Sequence, residues 1–434
     1  MERKMKDSGI PWIGAIPEHW EVMRLRRVFS EAHEKTTDEG GQLLTLSQYT
    51  GISPKTEGKR VGMFEAESTV GYNIVHAGQF VMNIMLAWNG SYGVSDFDGI
   101  ISPAYVVFNF NFRCCKKYFH YLLRLDGYPP AFKTVSRGII ESRLRLYPIY
   151  FYQFLTIVPP LAEQERIASY LDEKCGEIDE LIDVEQQMIS DLESYRQAVI
   201  TEAVTHGLNP DVQNKQSTIQ GIKDIPSNWN EVNLLKVIYL RARLGWRGLK
   251  AEEYVDEGYP FLSAFNIVNN QLVWENLNFI NQLRYDESPE IKLSLHDILI
   301  VKDGAGIGKC ARVENMPLGE STVNSSLGVI TVSETLYYSY LYYFFLSTPF
   351  QDNVLFLKNG MGVPHLTQEN LKSVRIPLPP VDEQKTIANF LDSKCSEIDG
   401  LIKVKQEKIE TLKQYRQSLI FEAVTGKTPI IENL

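Results

Sequence analysis

Residues 304–309, of sequence GAGIGK, are the segment that most resembles a nucleotide-binding motif. A phosphate-binding loop has Gly at its first position and Ser or Thr directly after the Lys, because backbone N–H groups and that hydroxyl hold phosphates and Mg²⁺. Here Asp303 and Cys310 occupy those two positions. Since residues 310–314 have the pattern of a returning strand, we predict a tight hairpin turn. A glycine loop that approaches DNA phosphates and a nucleotide site are the alternatives.

The sequence carries no recognisable pattern for catalysis or for metal binding. The Asn/Asp-Pro-Pro-aromatic tetrapeptide of adenine methyltransferases is absent. The five cysteines form no CxxC pair, and the seven histidines lack the spacing of metal ligands. Residues 289–292 (PEIK) combine a carboxylate with a lysine, as some nucleases do, but the wider motif is missing, so we predict the surface entrance of a strand. We therefore expect no catalytic residue, no metal site and no enzyme activity in this chain.

Basic and amide side chains in loop-like stretches are the residue types that could contact a nucleic acid. Phosphates attract cations, and base edges are recognised by side chains that form two hydrogen bonds. The densest basic cluster lies in residues 241–250, which also contain Trp246. The candidates are Lys55, Lys59, Arg60, Asn89, Arg137 and Arg143 in the first half of the chain, and Arg241, Arg243, Arg247, Lys250, Lys309, Lys358 and Asn359 in the second. For each of these residues taken singly, a solvated surface role is the alternative.

A segment that occurs twice in the chain must position these candidates. Residues 159–205 and 379–425 align without a gap and are identical at 27 of 47 positions, which is a strong repeat signal. Both copies begin with a Pro-Pro pair and acidic residues, as helices do. In the first copy, apolar residues then follow at helical spacing: Ile167, Leu171, Ile178, Leu181, Ile182, Ile189, Leu192, Tyr195 and Val199. Each copy is predicted to be one helix of about 65–70 Å.

A long helix with a single apolar stripe requires a partner, and the other copy is the obvious one. Because the first helix leads away from one non-helical region and the second leads back past the other, the pair should pack antiparallel. We therefore predict an α+β fold, in which two mixed, β-rich domains are separated by two long helices that form an antiparallel coiled coil with pseudo-twofold symmetry. The predicted boundaries are 1–158 and 207–378 for the domains, 159–206 for the first helix, and 379–434 for the second helix with the C-terminal tail.

The two non-helical regions share a weaker repeat. Residues 16–20 (IPEHW) parallel residues 225–229 (IPSNW), and each Trp is expected to anchor a small core. In both regions a strand, a glycine-containing turn and a returning strand then follow, and after them a further strand and a helix-compatible segment. The matching segments are 78–94, 102–108 and 118–124 in the first region, and 296–308, 326–332 and 337–346 in the second. We expect two domains of one fold whose surfaces have diverged.

The formal net charge of −10 does not exclude DNA as a ligand. Most of the acidic excess lies in the first repeated segment, because residues 159–205 carry −9 whereas residues 1–158 carry +3. The first residues lack the apolar run of a signal peptide, and no stretch reaches membrane-spanning length. A cytoplasmic location and the absence of a membrane partner are therefore expected.

Together these features resemble the specificity subunit of type I restriction–modification systems. The most specific marks are PPLAEQ at residues 159–164 and PLPPVDEQ at residues 377–384, which open the two repeated helices. The pattern from residues 82–90 to residues 102–105 is similar to one that recurs in the target-recognition domains of that family. The resemblance spans essentially the whole chain.

The resemblance implies that each β-rich domain reads one half of a bipartite, gapped DNA site and that the coiled coil sets the spacing. It also implies the partners, which are double-stranded DNA, two copies of a modification (methyltransferase) subunit, and restriction subunits with ATP-dependent translocase and nuclease activity. S-adenosylmethionine, ATP and Mg would be bound by those partners, with no cofactor in this chain. The alternative is a coiled-coil scaffold or adaptor that binds proteins and does not read DNA.

Overall fold

The computed structural model describes residues 3–48, 51–55, 68–140, 143–242, 251–304, 306–358, 366, 370–371 and 374–430, with the backbone alone at 251 and 356–358. The contacts that the chain makes with itself divide it into two units. Unit 1 comprises Met1–Glu185 with Glu407–Leu434, and unit 2 comprises Gln186–Gln406. Both divisions fall inside the predicted long helices, so each unit combines a β-rich domain with part of each helix.

The β-rich part of unit 1 consists of short strands with brief helices between them. Its strands are β1 (Met5–Asp7), β2 (Ala15–Pro17), β3 (Glu21–Arg24), β4 (Phe29–Ala32), β5 (Leu44–Ser47), β6 (Gly51–Pro54), β7 (Asn73–Val75), β8 (Phe80–Asn83), β9 (Tyr92–Val94), β10 (Gly99–Ile101), β11 (Tyr105–Phe110) and β12 (Leu155–Val158). Its helices are α1 (Leu25–Val28), α2 (Lys116–Leu123), α3 (Tyr128–Val135), α4 (Pro148–Phe151) and the first part of α5 (Leu161–His206). The predicted strand, returning strand, further strand and helix are confirmed as β8, β9, β11 and α2, in that order.

Unit 2 is built in the same way. Its strands are β13 (Asn214–Gln216), β14 (Asp224–Pro226), β15 (Asn230–Asn233), β16 (Ile238–Arg241), β17 (Tyr259–Leu262), β18 (Ile267–Val268), β19 (Gln271–Leu272), β20 (Asn278–Ile280), β21 (Ile298–Val301), β22 (Cys310–Arg312), β23 (Thr322–Val323), β24 (Leu327–Val332) and β25 (Arg375–Leu378). Its helices are α6 (Gln282–Asp286), α7 (Tyr338–Leu346), α8 (Thr348–Lys358) and the first part of α9 (Val381–Val424). The corresponding predictions are confirmed as β21, β22, β24 and α7.

Both units contain a sheet of the same topology. In unit 1 the strand order is β4-β11-β8-β9, and in unit 2 it is β16-β24-β21-β22. All neighbouring strands in these two sheets are antiparallel, whereas β17 and β23 of unit 2 form a parallel pair. The two β-rich domains therefore share one fold, as the weak internal repeat predicts.

The strand β21 (ILIV) lacks alternation of apolar and polar residues because both faces of its sheet are covered. Ile298 and Ile300 pack in a core that also contains Tyr340, whereas Leu299 and Val301 pack in a separate core. All four strand side chains are 0% exposed. A continuous apolar run is what a strand buried on both faces requires.

Aromatic rings fill the core of unit 1. Phe29, Phe80, Phe108 and Phe151 are each at most 1% exposed. The ring centroids of Phe29 and Phe80 lie 4.8 Å apart, and those of Phe108 and Phe151 lie 5.3 Å apart. Such pairs add about 0.5–1.5 kcal/mol each beyond the burial of their area. This core fixes β8 and the turn that follows it.

The long helices α5 and α9 pack antiparallel within each unit, as predicted. Residue numbers rise along one helix while those of its contacts fall along the other. The contacting pairs are Asp179–Arg416 (3.1 Å) and Glu185–Lys408 (2.6 Å) in unit 1, and Met188–Lys405 (3.0 Å) and Arg196–Asp399 (3.2 Å) in unit 2. Ion pairs between exposed side chains contribute about 1 kcal/mol or less each, but the Glu185 side chain is only 6% exposed. In the predicted apolar stripe of α5, Ile178 and Ile182 are buried, whereas Leu181 and Tyr195 are exposed, so that part of the prediction is wrong.

Each long helix begins at a carboxylate that binds a buried Trp. Trp20 donates its indole N–H to Glu163 over 3.0 Å, and Trp229 donates to Glu383 over 2.9 Å. Both Trp residues are at most 1% exposed, and an unpaired buried N–H group would be costly. The prediction that each Trp anchors its domain is confirmed, and the acidic residue of the repeated helix is the group it binds.

The residue after each carboxylate joins the helix to the backbone of the β-rich domain. Gln164 accepts a hydrogen bond of 3.0 Å from the backbone N–H of Cys115, and Gln384 accepts one of 2.7 Å from that of Tyr337. These N–H groups stand directly before α2 and α7, where a helix leaves its first N–H groups unpaired. The Glu-Gln pair of each repeated motif therefore attaches a long helix to its own domain.

Each long helix is followed by a glycine that lies against the Trp bound to the start of the other long helix. Gly207 has φ 77° and Gly426 has φ 71°. A Cβ at Gly207 would lie 3.1 Å from the ring of Trp229, and one at Gly426 would lie 2.8 Å from the ring of Trp20. Both the left-handed conformation and the close approach require glycine. In each unit, one Trp thus contacts the start of one long helix and the end of the other.

Buried tyrosines bind the last turns of the long helices. The Tyr118 hydroxyl donates to the carbonyl of Val424 over 2.9 Å, and the Tyr340 hydroxyl donates to that of Val204 over 3.1 Å. Both tyrosines are 0% exposed. These hydrogen bonds satisfy carbonyl groups that have no partner inside the helix.

The environment of Glu163 makes its anchor dependent on pH. Burial by itself would raise the pKa of Glu163, but hydrogen bonds from His19 and Trp20 and the charges of His19 and Arg3 outweigh it and lower the pKa. A carboxylate whose pKa is lowered by folding stabilises the fold above the unfolded-state pKa of about 4.3. That stabilisation is lost as the pH falls through the folded-state pKa.

Glu163→Gln is therefore expected to lower the Tm near pH 7, and its difference from the wild type should shrink as the pH is brought to about 3. Thermal unfolding followed by circular dichroism over this pH range measures the effect. Glu165→Gln, at an exposed position of the same helix, is the matched control and should leave the Tm unchanged. An equal loss at both ends of the pH range would contradict the anchor.

Candidate nucleic-acid interface

A turn around Trp88 connects β8 to β9 in unit 1 and carries the candidate Asn89. The Trp88 indole N–H donates to the carbonyl of Met85 over 2.9 Å, which fixes the turn. Lys133 of α3 places its ammonium 5.1 Å from the centroid of the Trp88 ring, a cation–π distance. Gly90 ends the turn with φ 87°. The amide and the aromatic ring of this turn thus lie close to a cation of α3.

A hairpin directly after α3 carries the candidates Arg137 and Arg143. The backbones of Arg137 and Arg145 exchange two hydrogen bonds of 2.9 Å. The guanidinium of Arg137 lies 5.2 Å from the ring centroid of Tyr150. Because α3 packs on the Trp88 turn, the structure places Asn89, Arg137 and Arg143 in neighbouring segments. Lys133 and Arg145 lie in the same segments, and no pattern in the sequence distinguishes them from other surface cations.

Lys55 lies in a different part of unit 1, directly after β6. Its backbone N–H donates to the carbonyl of Leu43 over 2.8 Å, and its side chain is exposed. The strand β6 pairs with β5 to form a hairpin of its own. Contact between Lys55 and DNA stays a prediction.

In unit 2 the glycine-rich segment that begins at Gly304 forms the tight turn that the sequence predicts. The N–H of Val301 donates to the carbonyl of Lys309 over 2.8 Å, and the N–H of Gly308 donates to that of Val301 over 3.0 Å. Gly304 and Gly308 have φ of 84° and 87°, which glycine adopts at little cost. A strand and not a helix follows, which excludes the geometry of a nucleotide-binding loop. The Lys309 side chain is exposed at this turn.

Residues 289–292 do not begin a strand, so that prediction is wrong. Pro289–Ile291 form a single 3-10 turn, and the Ile291 side chain is only 1% exposed. Lys292 binds Asp286 at 2.6 Å. The burial of Ile291 and the fixed φ of proline hold this segment as a turn against the core.

Arg241 lies at the end of β16 with its side chain in a largely buried polar cluster. Its guanidinium binds Asp297 at 2.6 Å and donates to Thr331 and to the carbonyl of Lys292, both at 2.8 Å. The Asp297 side chain is 0% exposed and that of Arg241 is 12% exposed. A buried carboxylate depends on such a partner, so these contacts favour a structural role for Arg241. Fifty-six positions separate the two residues, and no local pattern connects them.

The remaining candidates cannot be placed by their side chains. Those outside the described residues are Lys59, Arg60, Arg243, Arg247, Lys250 and Asn359. Lys358 is described by its backbone only, as the last residue of α8. Contact between these residues and DNA also stays a prediction.

Two aspartates at equivalent repeat positions bind the long helices to the β-rich domains. Each accepts hydrogen bonds from a cation and from a tyrosine of the domain in its own unit. The contacts are Lys117 (2.6 Å) and Tyr121 (2.9 Å) with Asp172, and Arg312 (2.9 Å) and Tyr343 (2.6 Å) with Asp392. The sequence shows the aspartates as part of an acidic helix face, and only the fold reveals their partners.

A cleft lies beside each of these aspartates. The cleft beside Asp172 measures about 1510 Å³ and the one beside Asp392 about 440 Å³. His120 lines the larger cleft, and burial, together with the charge of Arg124, lowers its pKa to about 4. His120 is therefore neutral near neutral pH. Because charges of both signs line this cleft, it does not resemble a phosphate site.

Among the residues that the structure describes, no group of His, Cys, Asp and Glu side chains has an arrangement that could hold a metal ion. Nor does any described helix have the length and apolar character needed to cross a membrane. The five cysteines are free thiols.

The sequence is similar to that of one family of known proteins. Residues 226–413 match the family model of the type I restriction modification DNA specificity domain. The chain is 24% identical over 426 residues to the type I restriction enzyme MjaVIII specificity subunit of Methanocaldococcus jannaschii, covering 95% of this chain and 93% of the relative. It is 26% identical over 208 residues to the EcoKI specificity subunit of Escherichia coli, covering 47% of this chain and 44% of the relative.

Two solved structures show the same fold. A chain from a study of complex assembly and conformational transition in the type I R-M system matches with a TM-score of 0.70 and 18% identity, covering 95% of this chain and 99% of the other. The HsdS subunit from Thermoanaerobacter tengcongensis matches with a TM-score of 0.50 and 18% identity, covering 95% and 98%.

Arg241→Ala should destabilise the protein, because it leaves the Asp297 carboxylate buried without its cation. The expected loss in the free energy of unfolding is roughly 3 kcal/mol. Urea unfolding followed by tryptophan fluorescence measures it. Lys309→Ala, at an exposed turn, serves as the control and should change stability by less than about 0.5 kcal/mol. A stable Arg241→Ala protein that no longer binds DNA would reverse the assignment.

Proposed function

We infer that this chain is a specificity subunit of a type I restriction–modification system. Residues 226–413 carry the DNA specificity domain of that family. The alignment with the MjaVIII specificity subunit covers 95% of the chain, so the likeness includes both β-rich domains and both long helices. This full-length match, to relatives named as specificity subunits, is the observation that carries the conclusion. The chain acts in DNA sequence recognition, and catalysis belongs to other subunits.

Each β-rich domain is proposed to read one half of a bipartite site. In unit 1 the Trp88 turn and the adjoining hairpin offer an amide, Asn89, together with exposed arginines at 137 and 143. In unit 2 the equivalent turn between β21 and β22 offers Lys309. Cations hold phosphates and amides read base edges. Two readers in one chain reinforce each other, since binding by the first makes the second binding event intramolecular.

The long helices are proposed to set the unread gap between the half-sites. The helix α5 has 46 residues and α9 has 44, and each belongs partly to unit 1 and partly to unit 2. A continuous helix has a fixed rise of about 1.5 Å per residue, whereas a flexible linker has a broad range of lengths. Continuity of both helices supports their role as a fixed spacer.

Two copies of a modification (methyltransferase) subunit are proposed to dock on this chain, and restriction subunits to join them. The duplicated contacts at Asp172 and Asp392 give the two units similar features, and similar surfaces suit identical partners. A solved neighbour comes from a study of assembly in a type I R-M system, which supports assembly with further subunits. S-adenosylmethionine is assigned to the modification subunits, ATP and Mg to the restriction subunits, and no cofactor to this chain.

Exchange of residues 1–158 for the corresponding domain of another specificity subunit should change one half of the methylated sequence and leave the other half intact. Sequencing of methylated adenines in cells that express the hybrid chain measures the outcome. Exchange of residues 207–378 is the matched experiment and should change the opposite half. A methylated sequence that stays the same after both exchanges would favour the scaffold alternative.

Lengthening the gap of the natural site by one base pair should abolish specific binding by the chain in complex with its modification subunits. One pair shifts a half-site by about 3.4 Å and rotates it by about 35°, so a fixed spacer cannot follow. A gel-shift titration measures the loss. A duplex with a substituted base pair in the unlengthened gap is the control and should bind normally. Equal affinity for both gap lengths would refute the spacer role.

A further inference from the structure

The hairpin that opens at Arg137 and closes at Arg145 has an exposed apolar tip. Ile139 is 101% exposed and Ile140 is 52% exposed. Within the described part of the chain, Ile139 is the most exposed of the large apolar side chains. A single exposed apolar residue is ordinary on a protein surface. Two consecutive exposed isoleucines form a small apolar surface on this hairpin.

Backbone contacts join the two described sides of this hairpin. The N–H of Arg143 donates to the carbonyl of Ile140 over 2.9 Å, inside the pair formed by Arg137 and Arg145. A Cβ at Gly138 would lie 2.5 Å from the carbonyl oxygen of Arg143, so glycine permits the two sides to close.

The base of the hairpin is anchored in the core of unit 1. Leu146 is 0% exposed, and its N–H donates to the carbonyl of Ile84 over 2.8 Å. On the other side, Phe132 of α3 is also 0% exposed. The segments on both sides of the hairpin are therefore attached to this core.

Arginines flank the apolar tip. Arg137, Arg143 and Arg145 are exposed, and none of them forms an ion pair with a carboxylate among the described residues. With Glu141 included, residues 137–145 carry a formal charge of +2. The tip therefore combines apolar side chains with positive charge.

Leu283 provides the contrast. It is 71% exposed, but its neighbour Arg284 is paired with Glu253 at 2.9 Å and with Glu287 at 2.7 Å. The charge beside this exposed aliphatic residue is thus neutralised within the protein.

We propose that Ile139 and Ile140 enter the DNA as a wedge between two stacked base pairs, while the flanking arginines bind phosphates on either side. The proposal rests on the DNA-reading function inferred above. A two-stranded ribbon fits a groove of the duplex, and apolar side chains inserted at a base step partly unstack it and kink the duplex. Pyrimidine–purine steps open most easily. Unit 1 would therefore read part of its half-site through the deformability of one step.

A protein surface is the other possible occupant of an exposed apolar tip. Stable protein interfaces bury at least about 1,200 Å² in total, and two isoleucines on a narrow hairpin supply little of that. Clustered arginines instead match the charge of the DNA backbone. Lys133 of α3, whose ammonium lies 5.1 Å from the centroid of the Trp88 ring, is a further cation in the segment before the hairpin. Charge complementarity thus favours DNA.

The test uses the full chain in complex with its modification subunits and duplexes that contain its own methylated site. 2-Aminopurine, which brightens when it is unstacked, is placed at one position at a time in the half-site assigned to unit 1. The wild type should brighten the probe at one base step in addition to the adenine that is flipped out for methylation. Ile139→Ser combined with Ile140→Ser should lose the first signal, keep the second, and bind about tenfold more weakly.

Two further variants are controls, one for the removal of an exposed aliphatic side chain elsewhere and one for the retention of apolar bulk at the tip. Leu283→Ser removes a similarly exposed aliphatic side chain and should bind and brighten as the wild type does. Ile139→Leu combined with Ile140→Leu keeps apolar bulk and should retain the signal at the base step. Because all the substituted side chains are exposed, every variant should keep the wild-type Tm.

The outcomes separate the wedge from the function on which it rests. If the wild type discriminates its site from a scrambled duplex but brightens no additional step, or if the double Ser variant keeps that signal, the wedge is refuted and the specificity function stands. Loss of co-purification with the modification subunits in the double Ser variant would identify the tip as a protein contact and refute the wedge. A wild-type complex that does not discriminate the two duplexes would refute the function itself.

Discussion

A buried indole N–H is the constraint on which each unit of this protein depends. Trp20 and Trp229 need an acceptor in a place without water, and the carboxylate at the start of a long helix supplies it. The same ring crowds the position that a Cβ would take at the glycine after the other long helix. One aromatic side chain therefore fixes both helices against the domain at the same time, and the repeated Glu-Gln pair has a physical reason.

This attachment also explains how similar helices can carry domains with different surfaces. The helix side chains bind an indole N–H and a backbone N–H, and a domain can supply these groups whatever its loops contain. The sheets then place a turn at the same topological position in both domains, after β8 in one and after β21 in the other. In unit 1 this turn holds Trp88 and Asn89, and in unit 2 it holds Lys309. Recognition can thus vary at the turns while the frame stays constant.

The sequence predicts the long helices and most strands well, because helical periodicity and strand patterns are local and the repeat is visible in the sequence. It predicts side-chain partnerships poorly. In the sequence Arg241 resembles a surface cation in a basic cluster. In the structure it binds the buried carboxylate of Asp297, which lies far along the chain. In the same way Asp172 has the appearance of a solvated helix residue until α2 brings Lys117 to it. A charged residue looks alike in sequence whether its partner is water, protein or DNA, and only the tertiary fold separates these cases.

Unit 2 is formed by one segment of the chain and unit 1 by two. This difference sets the order in which the units can fold during synthesis. Unit 2 is one continuous stretch, so all of its residues have left the ribosome once Gln406 has emerged. Unit 1 is assembled from both ends of the chain, and its Tyr118 finds its acceptor only at Val424. During synthesis, the core of unit 1 can therefore close only after the last part of α9 has been made. Without the last turns of α9, Tyr118 would lose this acceptor, and that core would stay open and prone to aggregation.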